Sequence, residues 1–398
     1  MKTKHVLTLG TALLLAPLSS ALAQSTWETV DALTPWRGRD IVAESTGNFI
    51  SLAIDNSSSS TGAVSTAVSV SIDHGATWQT VGSIAGYALD LAASPDGALF
   101  AVGNRSAAAS GRAFLWQSLD HGVTWTTIDP WAGQSGTFLC LDVAAGNNGS
   151  IYLCGYLYGG GKWIVRRGDR NAGGITWTTV DSIPGNQAES ICVRPAVTGG
   201  QPDEILVSGY ASGLWTIRRS ADAGATWTTV DSYSTGYGNG GYSGVAAGPN
   251  SSVYTISHTA KTITVTNWTV VRKKLVPVIT TTTEYGWLVR KGTNGGASWT
   301  NVDYFANGWP GNGPIAVDNF GRVFVVGFNN TTPRTWLVRG SVDGGTTWVT
   351  TDSFLPSNTT SAQAQAIAID APCNVCVIGE TGTSPSTYTA PIRRLAAP

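Results

Sequence analysis

The stretch S71-I-D-H-G-A-T-W-Q-T-V81 decides the fold. It returns as SLDHGVTWTTID from Ser118, SADAGATWTTVD from Ser220 and SVDGGTTWVTTD from Ser341. Aligned on the tryptophan, the series is Trp27, Trp78, Trp125, Trp177, Trp227, Trp299 and Trp348, with steps of 51, 47, 52, 50, 72 and 49 residues. A fixed period of this length marks a repeat architecture. Within one unit, YALDLAASPDG, ALFAVG, AFLWQSLDHG and VTWTTID read as four short strands joined by glycine turns. The early strands are apolar on both faces, as in sheets covered from both sides. A four-stranded unit of about 50 residues repeated radially is a β-propeller blade. The expected fold is therefore all-β: one seven-bladed β-propeller of four-stranded antiparallel blades, spanning residues 24–398. The last unit runs QAIAID, VCVIGE, APIRRL and lacks a fourth strand; STWETVD, at residues 25–31, is a fourth strand without a unit. Pairing the two closes the ring.

The motif S-x-D-x-G-x-[TS]-W resembles the Asp-box, or BNR repeat. It is full at Trp78, Trp125, Trp227 and Trp348, and degraded at Gly292-Asn294-Gly296-Trp299 and at Trp177, where the turn is two residues longer. The resemblance is to a broad group of sialidase-like, xyloglucanase-like, sortilin-like and photosystem II assembly factor-like propellers. It implies that the turn joins the third and fourth strands, opposite the usual ligand face. The chemistry of the motif is local. Ser and Asp side chains bond their own turn, Gly supplies positive φ, and Trp packs between sheets. The turn reads as structure, and His74 and His121 within it as exposed turn residues. The tryptophans Trp116, Trp163, Trp215, Trp287 and Trp336, each opening a third strand ahead of an Arg-rich pattern, also read as packing between blades.

Residues 1–23 read as a signal peptide: Lys2 and Lys4 precede an apolar run ending at Ala21 and Ala23. The expected location is secreted or periplasmic, with no membrane span. Without that segment, Lys+Arg falls from 24 to 22 against 25 acids, a net charge of −3. This excludes the basic footprint of a nucleic-acid binder. The five cysteines include Cys140 and Cys154, expected nearly opposite each other on a hairpin, and Cys373 and Cys376 around a turn; disulfide pairing is left open in both cases. Neither a metal nor a cofactor is expected.

Function is sought in the variable loops TPWRGRD, IAGYALD, DPWAGQSGTF, SIPGNQAES, STGYGNGGYSG and FANGWPGNGP. Their aromatic residues Trp36, Tyr87, Trp131, Tyr237, Tyr242 and Trp309 are candidate stacking platforms for a flat ligand. Arg37, Arg39 and Glu189 add charge near the central channel. Asp40, Asp90 and Asp142 recur at one first-strand position, with Cys192, Gly244, Ala316 and Ala368 as expected equivalents. They are either an acid–base cluster or caps that each bond the backbone of the next blade. Residues 258–284, HTAKTITVTNWTVVRKKLVPVITTTTE, lengthen blade five with an alternating hairpin, Thr out and Val or Ile in, carrying Arg272, Lys273 and Lys274 near its tip. It reads as a lid or a docking arm for a protein partner, or as a tolerated extension.

The primary reading is a glycan-binding propeller. The alternative is a carbohydrate-active enzyme, a glycoside hydrolase or polysaccharide lyase, with Asp40, Asp90, Asp142, Tyr87 and Tyr242 as candidate catalytic residues. A third reading is an assembly or adhesion scaffold. The sialidase resemblance implies an arginine triad, an F-R-I-P-like segment and a Tyr–Glu pair, and none is recognisable here; VRP at 193–195 only echoes that segment.

Overall fold

The computed structural model describes residues 26–34, 36–55, 64–104, 113–184, 187–194, 201–236, 243–271, 274–383 and 388–397. The expected signal segment and Tyr237, Tyr242, Arg272 and Lys273 lie outside them. The described chain is β-strand and turn. Strand β1 is Glu28–Leu33. Sheet I then holds β2 to β5 (Trp36–Ala43, Phe49–Asp55, Thr66–Ser71, Gln79–Ile84), and sheet II holds β6 to β9 (Tyr87–Ala93, Leu99–Asn104, Ala113–Ser118, Thr126–Ile128). Sheet III holds β10 to β13 (Phe138–Ala145, Ile151–Leu157, Lys162–Asn171, Gly174–Pro184). Sheet IV holds β14 to β17 (Gln187–Arg194, Glu204–Ala211, Leu214–Ser220, Thr228–Tyr233). Sheet V holds β18 to β21 (Ser243–Ala247, Val253–Val271, Lys274–Thr293, Ser298–Ala306).

An eight-stranded sheet completes the set. One half, VI, is β22 to β25 (Gly308–Val317, Val323–Asn329, Thr335–Ser341, Val349–Phe354). The other, VII, is β26 to β28 (Ser361–Ile369, Val375–Gly382, Ala390–Leu395) with β1 paired antiparallel to β28. Two parallel pairs, Gly313 with Ala366 and Arg334 with Ser361, join the halves. The architecture is that of a β-propeller built from four-stranded antiparallel sheets.

Burial follows strand order. Strands β3 and β4 are buried along almost their whole length, whereas the fourth strands, such as β5, β9 and β17, are largely exposed. The sequence explains this: inner strands are Val, Ile and Leu on both faces, and the fourth are Thr-rich. Solvated threonine keeps β propensity without inviting another chain to an open edge. Apolar clusters fill the spaces between neighbouring sheets: I with II, II with III, III with IV, IV with V, V with VI, VI with VII, and VII with I.

Trp163, Trp215, Trp287 and Trp336 are fully buried third-strand residues. The rings of Trp163, Trp287 and Trp336 pack where a Cβ on Gly209, Gly327 or Gly379 of the next sheet would stand. Trp116 is buried too, but not in their register. Trp163 pairs with the residue after Gly155; in sheet II the residue after Gly103 pairs with Ala113. Trp116 therefore occupies the place of Arg166, three residues further on. Trp287→Ala should cost about 3–5 kcal/mol, because the surrounding strands cannot collapse into the void. Denaturant titration of the variant checks this.

A second brace runs through the same interfaces. Arg218 forks onto Asp181, Arg290 onto Asp231, Arg339 onto Asp303 and Arg393 onto Asp352, with all eight N–O distances between 2.6 and 3.1 Å. Each arginine sits on a third strand and each aspartate on the fourth strand of the preceding sheet. A bidentate pair fixes both distance and angle, so it holds one sheet at a set inclination to the next.

The repeated turn is self-contained. Ser71 Oγ donates to Asp73 Oδ1 (2.8 Å) and accepts from Gly75 N (2.8 Å); Asp73 accepts from Thr77 N and Oγ1; Trp78 Nε1 donates to Gly75 O (3.1 Å). The same bonds recur at Ser118, Ser220 and Ser341. Hydrogen bonds from Thr124 and Ser118 pull the Asp120 carboxyl down to about 2. His74 and His121 have φ of 58° and 55° and are half-exposed. They do more than fill turns: Nδ1 of each meets a buried carboxylate of the preceding sheet, Asp370 at 2.8 Å and Glu44 at 2.9 Å.

The β19–β20 hairpin departs from the expected pattern. Its strands pair in continuous register out to Val271 and Lys274, and the described side chains beyond Ala260 are mostly exposed on both faces. Register puts Trp268 and Ile279 on one face and Val265, Val276 and Val278 on the other. Trp268 is 64% and Ile279 65% exposed. The run LVPVI is apolar without alternation, so no register turns all of it inward.

Candidate functional site

The first strands of sheets I to IV and VII carry a β-bulge near their start. The register slips between Gly38 and Asp40, Ala88 and Asp90, Cys140 and Asp142, Ala188 and Ser190, and Ala364 and Ala366. The skipped residues are Arg39, Leu89, Leu141, Glu189 and Gln365. A bulge leaves its extra residue outside the ladder and re-aims its side chain. Arg39, Leu89, Leu141 and Glu189, joined by Ser243 and Asn312 from sheets V and VI, line one cavity of about 530 Å³; Asp90, Asp142, Tyr156 and Gln187 complete its wall. The site is thus built by one local irregularity repeated around the sheets.

The residue after each bulge faces the next sheet. Asp40 accepts from Leu91 N (2.8 Å), Asp90 from Val143 N (2.9 Å), Asp142 from Ile191 N (2.9 Å), and Ser190 Oγ accepts from Val245 N (3.3 Å). The capping role expected for these carboxylates is what the geometry contains. Pairing also corrects the expected equivalents. Ile41, Leu91, Val143, Ile191, Val245, Ile315 and Ile367 hold one register position, so the aspartates align with Ser190, Gly244, Pro314 and Ala366 rather than Cys192, Gly244, Ala316 and Ala368.

The three aspartates are also hydrogen-bonded one to the next. Two carboxyl groups bond each other only when one holds a proton. Burial raises Asp40 to about 7, reinforced by the charge of Asp142 and opposed by backbone N–H bonds. Burial, with the charges of Asp142 and Asp40, puts Asp90 well above the usual carboxylate range. Burial raises Asp142 as well. The trio is a proton-sharing chain.

This chain has a consequence for stability. The folded-state pKa of Asp40 lies above its unfolded value. Its contribution is therefore complete below about pH 4 and is lost as pH rises through about 7, each tenfold difference in proton affinity between the two states being worth about 1.4 kcal/mol. Asn is permanently neutral and its carbonyl can still accept from Leu91. Asp40→Asn should leave the melting temperature near that of the wild type at about pH 4 and raise it relative to the wild type at about pH 8. Melting curves at the two pH values test this.

Glu189 lines the same cavity. Its Oε1 accepts from Gln187 Nε2 at 2.6 Å, and its buried Oε2 has no hydrogen-bond partner. Burial lifts its carboxyl to about 7, opposed by the polar groups of Gln187 and Ser243. Arg39 Nη2 donates to Tyr87 Oη at 2.7 Å, with the guanidinium carbon 5.4 Å from the Tyr87 ring centre. Arg37 is committed elsewhere: its Nε lies 2.9 Å from the buried Glu380, and it stacks over Tyr388 at 4.0 Å.

Of the residues expected to form the site, Arg39, Glu189, Asp90 and Asp142 share the cavity, with Tyr87 and Asp40 bonded to its members. Trp36 is partly exposed at the start of β2 and is not part of the wall. Trp131 is no stacking platform: it is buried, stacks on Phe138 at 4.2 Å and carries Arg166 at 5.0 Å. Trp309 packs against the buried His258 at 3.9 Å, at the root of the hairpin. Gln187, Ser243 and Asn312 lie in the loops named from the sequence without being singled out there, and Tyr156 lies outside those loops. Writing the first strands in register (GRDI, ALDL, CLDV, AESI) would have exposed the bulge residues as a series.

The cysteines are free thiols. The bulge pairs Cys154 with Asp142 and Cys140 with Gly155. Cys140 joins the cluster against sheet II and Cys154 the one against sheet IV, so they lie on opposite faces and are not opposite each other as expected. Burial pushes Cys192 up to about 12, which keeps it protonated and inert.

No family model matches this chain, and no curated protein does. Solved structures do. A GH74 xyloglucanase from Xanthomonas campestris superposes with a TM-score of 0.50 at 14% identity, over 89% of this chain and 52% of that one. A GH74 enzyme from Niastella koreensis gives 0.54 at 18%, over 89% and 53%. The chain therefore spans about half the length of these two. The polysaccharide lyase Uly1 gives 0.51 at 9%, over 92% and 91% of the two chains. At these identities the likeness is one of fold, and the fold shared is the β-propeller. Among the described residues, no helix is long and apolar enough to cross a membrane.

Proposed function

We propose that this chain is an exported carbohydrate-active enzyme that cleaves glycans at the channel cavity, with Glu189 as general acid. The observation that carries the reading is Glu189 itself: a cavity-lining carboxyl with one oxygen held by Gln187, the other unpartnered, and a proton affinity near neutrality. Breaking a glycosidic link, by hydrolysis or by elimination, requires a proton on the departing oxygen. An acid tuned close to the working pH gives that proton most effectively. The Asp90–Asp142 pair beside it shares protons and so keeps a partial negative charge, which favours positive charge building on the sugar ring. The catalytic roles weighed for Asp40 and Tyr87 become positioning roles, Asp40 through Asp90 and Tyr87 through Arg39.

The scaffold in this proposal is a seven-bladed Asp-box propeller, residues 24–398, closed where β1 completes the blade of β26 to β28, with residues 1–23 as its export signal. The pairing of β1 with β28 and the apolar cluster between sheets VII and I support closure. The four self-bonded turns support the Asp-box reading. That GH74 enzymes and a polysaccharide lyase use this fold supports the carbohydrate class.

The test is to incubate the purified chain with a panel of neutral and acidic polysaccharides, measuring new reducing ends and unsaturated uronate in each sample. Product from any polymer is expected. Binding without product across the panel would return the chain to a glycan-binding role.

A further inference from the structure

Arginines at the sheet interfaces are mostly matched to acids; Arg166, buried against the Trp131 ring with Nε and Nη1 lacking hydrogen-bond partners, is not. Arg218, Arg290, Arg339 and Arg393 each fork onto an aspartate, and Arg37 pairs with Glu380. Arg39 is the exception on the cavity wall. Its Nη2 bonds the neutral Tyr87 hydroxyl, its buried Nε has no acceptor, and among the described residues no carboxylate lies within ion-pair distance of it. The β-bulge at Gly38–Asp40 is what turns it out of the ladder and into the cavity. We propose that Arg39 is an anion anchor, and that the glycan taken by this cavity carries an acidic group, a uronate carboxylate or a sulfate ester, close to the bond to be cut.

The chemistry of the surroundings supports this. Arg39 is partly buried and its buried Nε–H is left without an acceptor, which is costly, while the planar fork of the guanidinium matches an oxyanion. Burial raises the proton affinity of the acids around the cavity, so below about pH 7 they cancel the arginine's charge only in part. The remaining wall adds neutral polar groups, Gln187, Ser243 and Asn312, suited to sugar hydroxyls. The inference rests on the cavity being the glycan site, but not on cleavage there.

The experiment measures binding in the Glu189→Gln background, where turnover cannot confuse it. The probes are an oligogalacturonate, its carboxyl-reduced neutral counterpart and a sulfated galactan oligosaccharide. An acidic probe should bind about 10- to 100-fold more tightly than the neutral one, the range expected for one charge-assisted pair. Arg39→Gln should remove that advantage, weakening acidic binding about 10- to 100-fold more than neutral binding; Arg39→Lys should restore only part of it. Preference for the uronate or for the sulfated probe names the anion. Equal binding of acidic and neutral probes would overturn the proposal without any variant, and so would an Arg39→Gln loss equal for both. Arg39-dependent binding of an acidic glycan, with no polymer cleaved by the wild type, would refute catalysis and leave the anchor standing. Cleavage of neutral polymers alone, unaffected by Arg39→Gln, would do the reverse.

Discussion

Glu189→Gln should lower kcat/KM on the cleaved polymer by about 10²- to 10⁴-fold while leaving glycan binding nearly unchanged and, at about pH 5 or below, the melting temperature as well. The size follows from what a positioned proton donor contributes to glycosidic cleavage. The selectivity follows from the local geometry. The amide keeps the volume of the carboxyl, keeps an oxygen for Gln187 Nε2, and removes only the titratable proton. A structural role would give a different pattern: loss of melting temperature with kcat and KM disturbed together. Retained kcat in a well-folded variant would remove Glu189 from the chemistry.

The second large effect concerns stability. Arg393→Ala should cost about 3–5 kcal/mol, because it leaves Asp352 buried with no cation. Arg393 Nε and Nη2 hold Asp352 at 2.6 and 2.8 Å. Its Nη1 donates to Thr29 Oγ1 at 3.0 Å, and Nη2 reaches Trp27 O at 3.5 Å. One side chain therefore joins sheet VI, sheet VII and the segment leading into β1. Loss of that joint should release β1 early, seen as faster hydrogen exchange in β1 than in sheets II to IV. Arg170→Ala, which breaks the pair with the half-exposed Asp96, is the control and should cost under about 1 kcal/mol. Equal effects of the two would show that the inter-sheet pairs act as ordinary surface bridges.

The repeat was readable because Ser, Asp, Gly and Trp do their work within a few residues of each other. Their bonds depend on spacing along the chain, and spacing is what a sequence displays. The four-strand unit was readable for the same reason. Trp163, Trp287 and Trp336 recur, and the glycines that make room for them recur in step. The bulges were not readable. Whether Asp142 pairs with Cys154 or falls one place away depends on how a neighbouring strand slides, and no local signal records that. The misplacement of Cys192, Ala316 and Ala368 as equivalents, and of Cys140 opposite Cys154, has this one cause.

The site was legible in part. Arg39, Glu189, Asp90 and Asp142 stand where loops meet first strands, which is where a propeller gathers residues from every sheet. Ser243 and Asn312 lie in loops the sequence marks out, but Tyr156 comes from an ordinary-looking strand end, and only the packing of sheet against sheet brings them together. Aromatic residues misled. Trp131 sits in a glycine-rich loop yet folds back onto Phe138 and under Arg166, because a large ring close to its own sheet gains more from burial than from waiting in solvent. The hairpin misled in the opposite direction: apolar residues implied an inner face, and the ribbon carries them outward on both sides.

The central claim is that a carboxyl tuned to neutrality donates the proton. The measurement that reaches it most directly is the pH dependence of kcat/KM for the wild type on the cleaved polymer. Glu189 must be protonated to act, so the rate should hold below about pH 7 and fall about tenfold for each pH step above it, following the raised carboxyl. A rate that climbs through this range, or one that ignores it, would contradict the account.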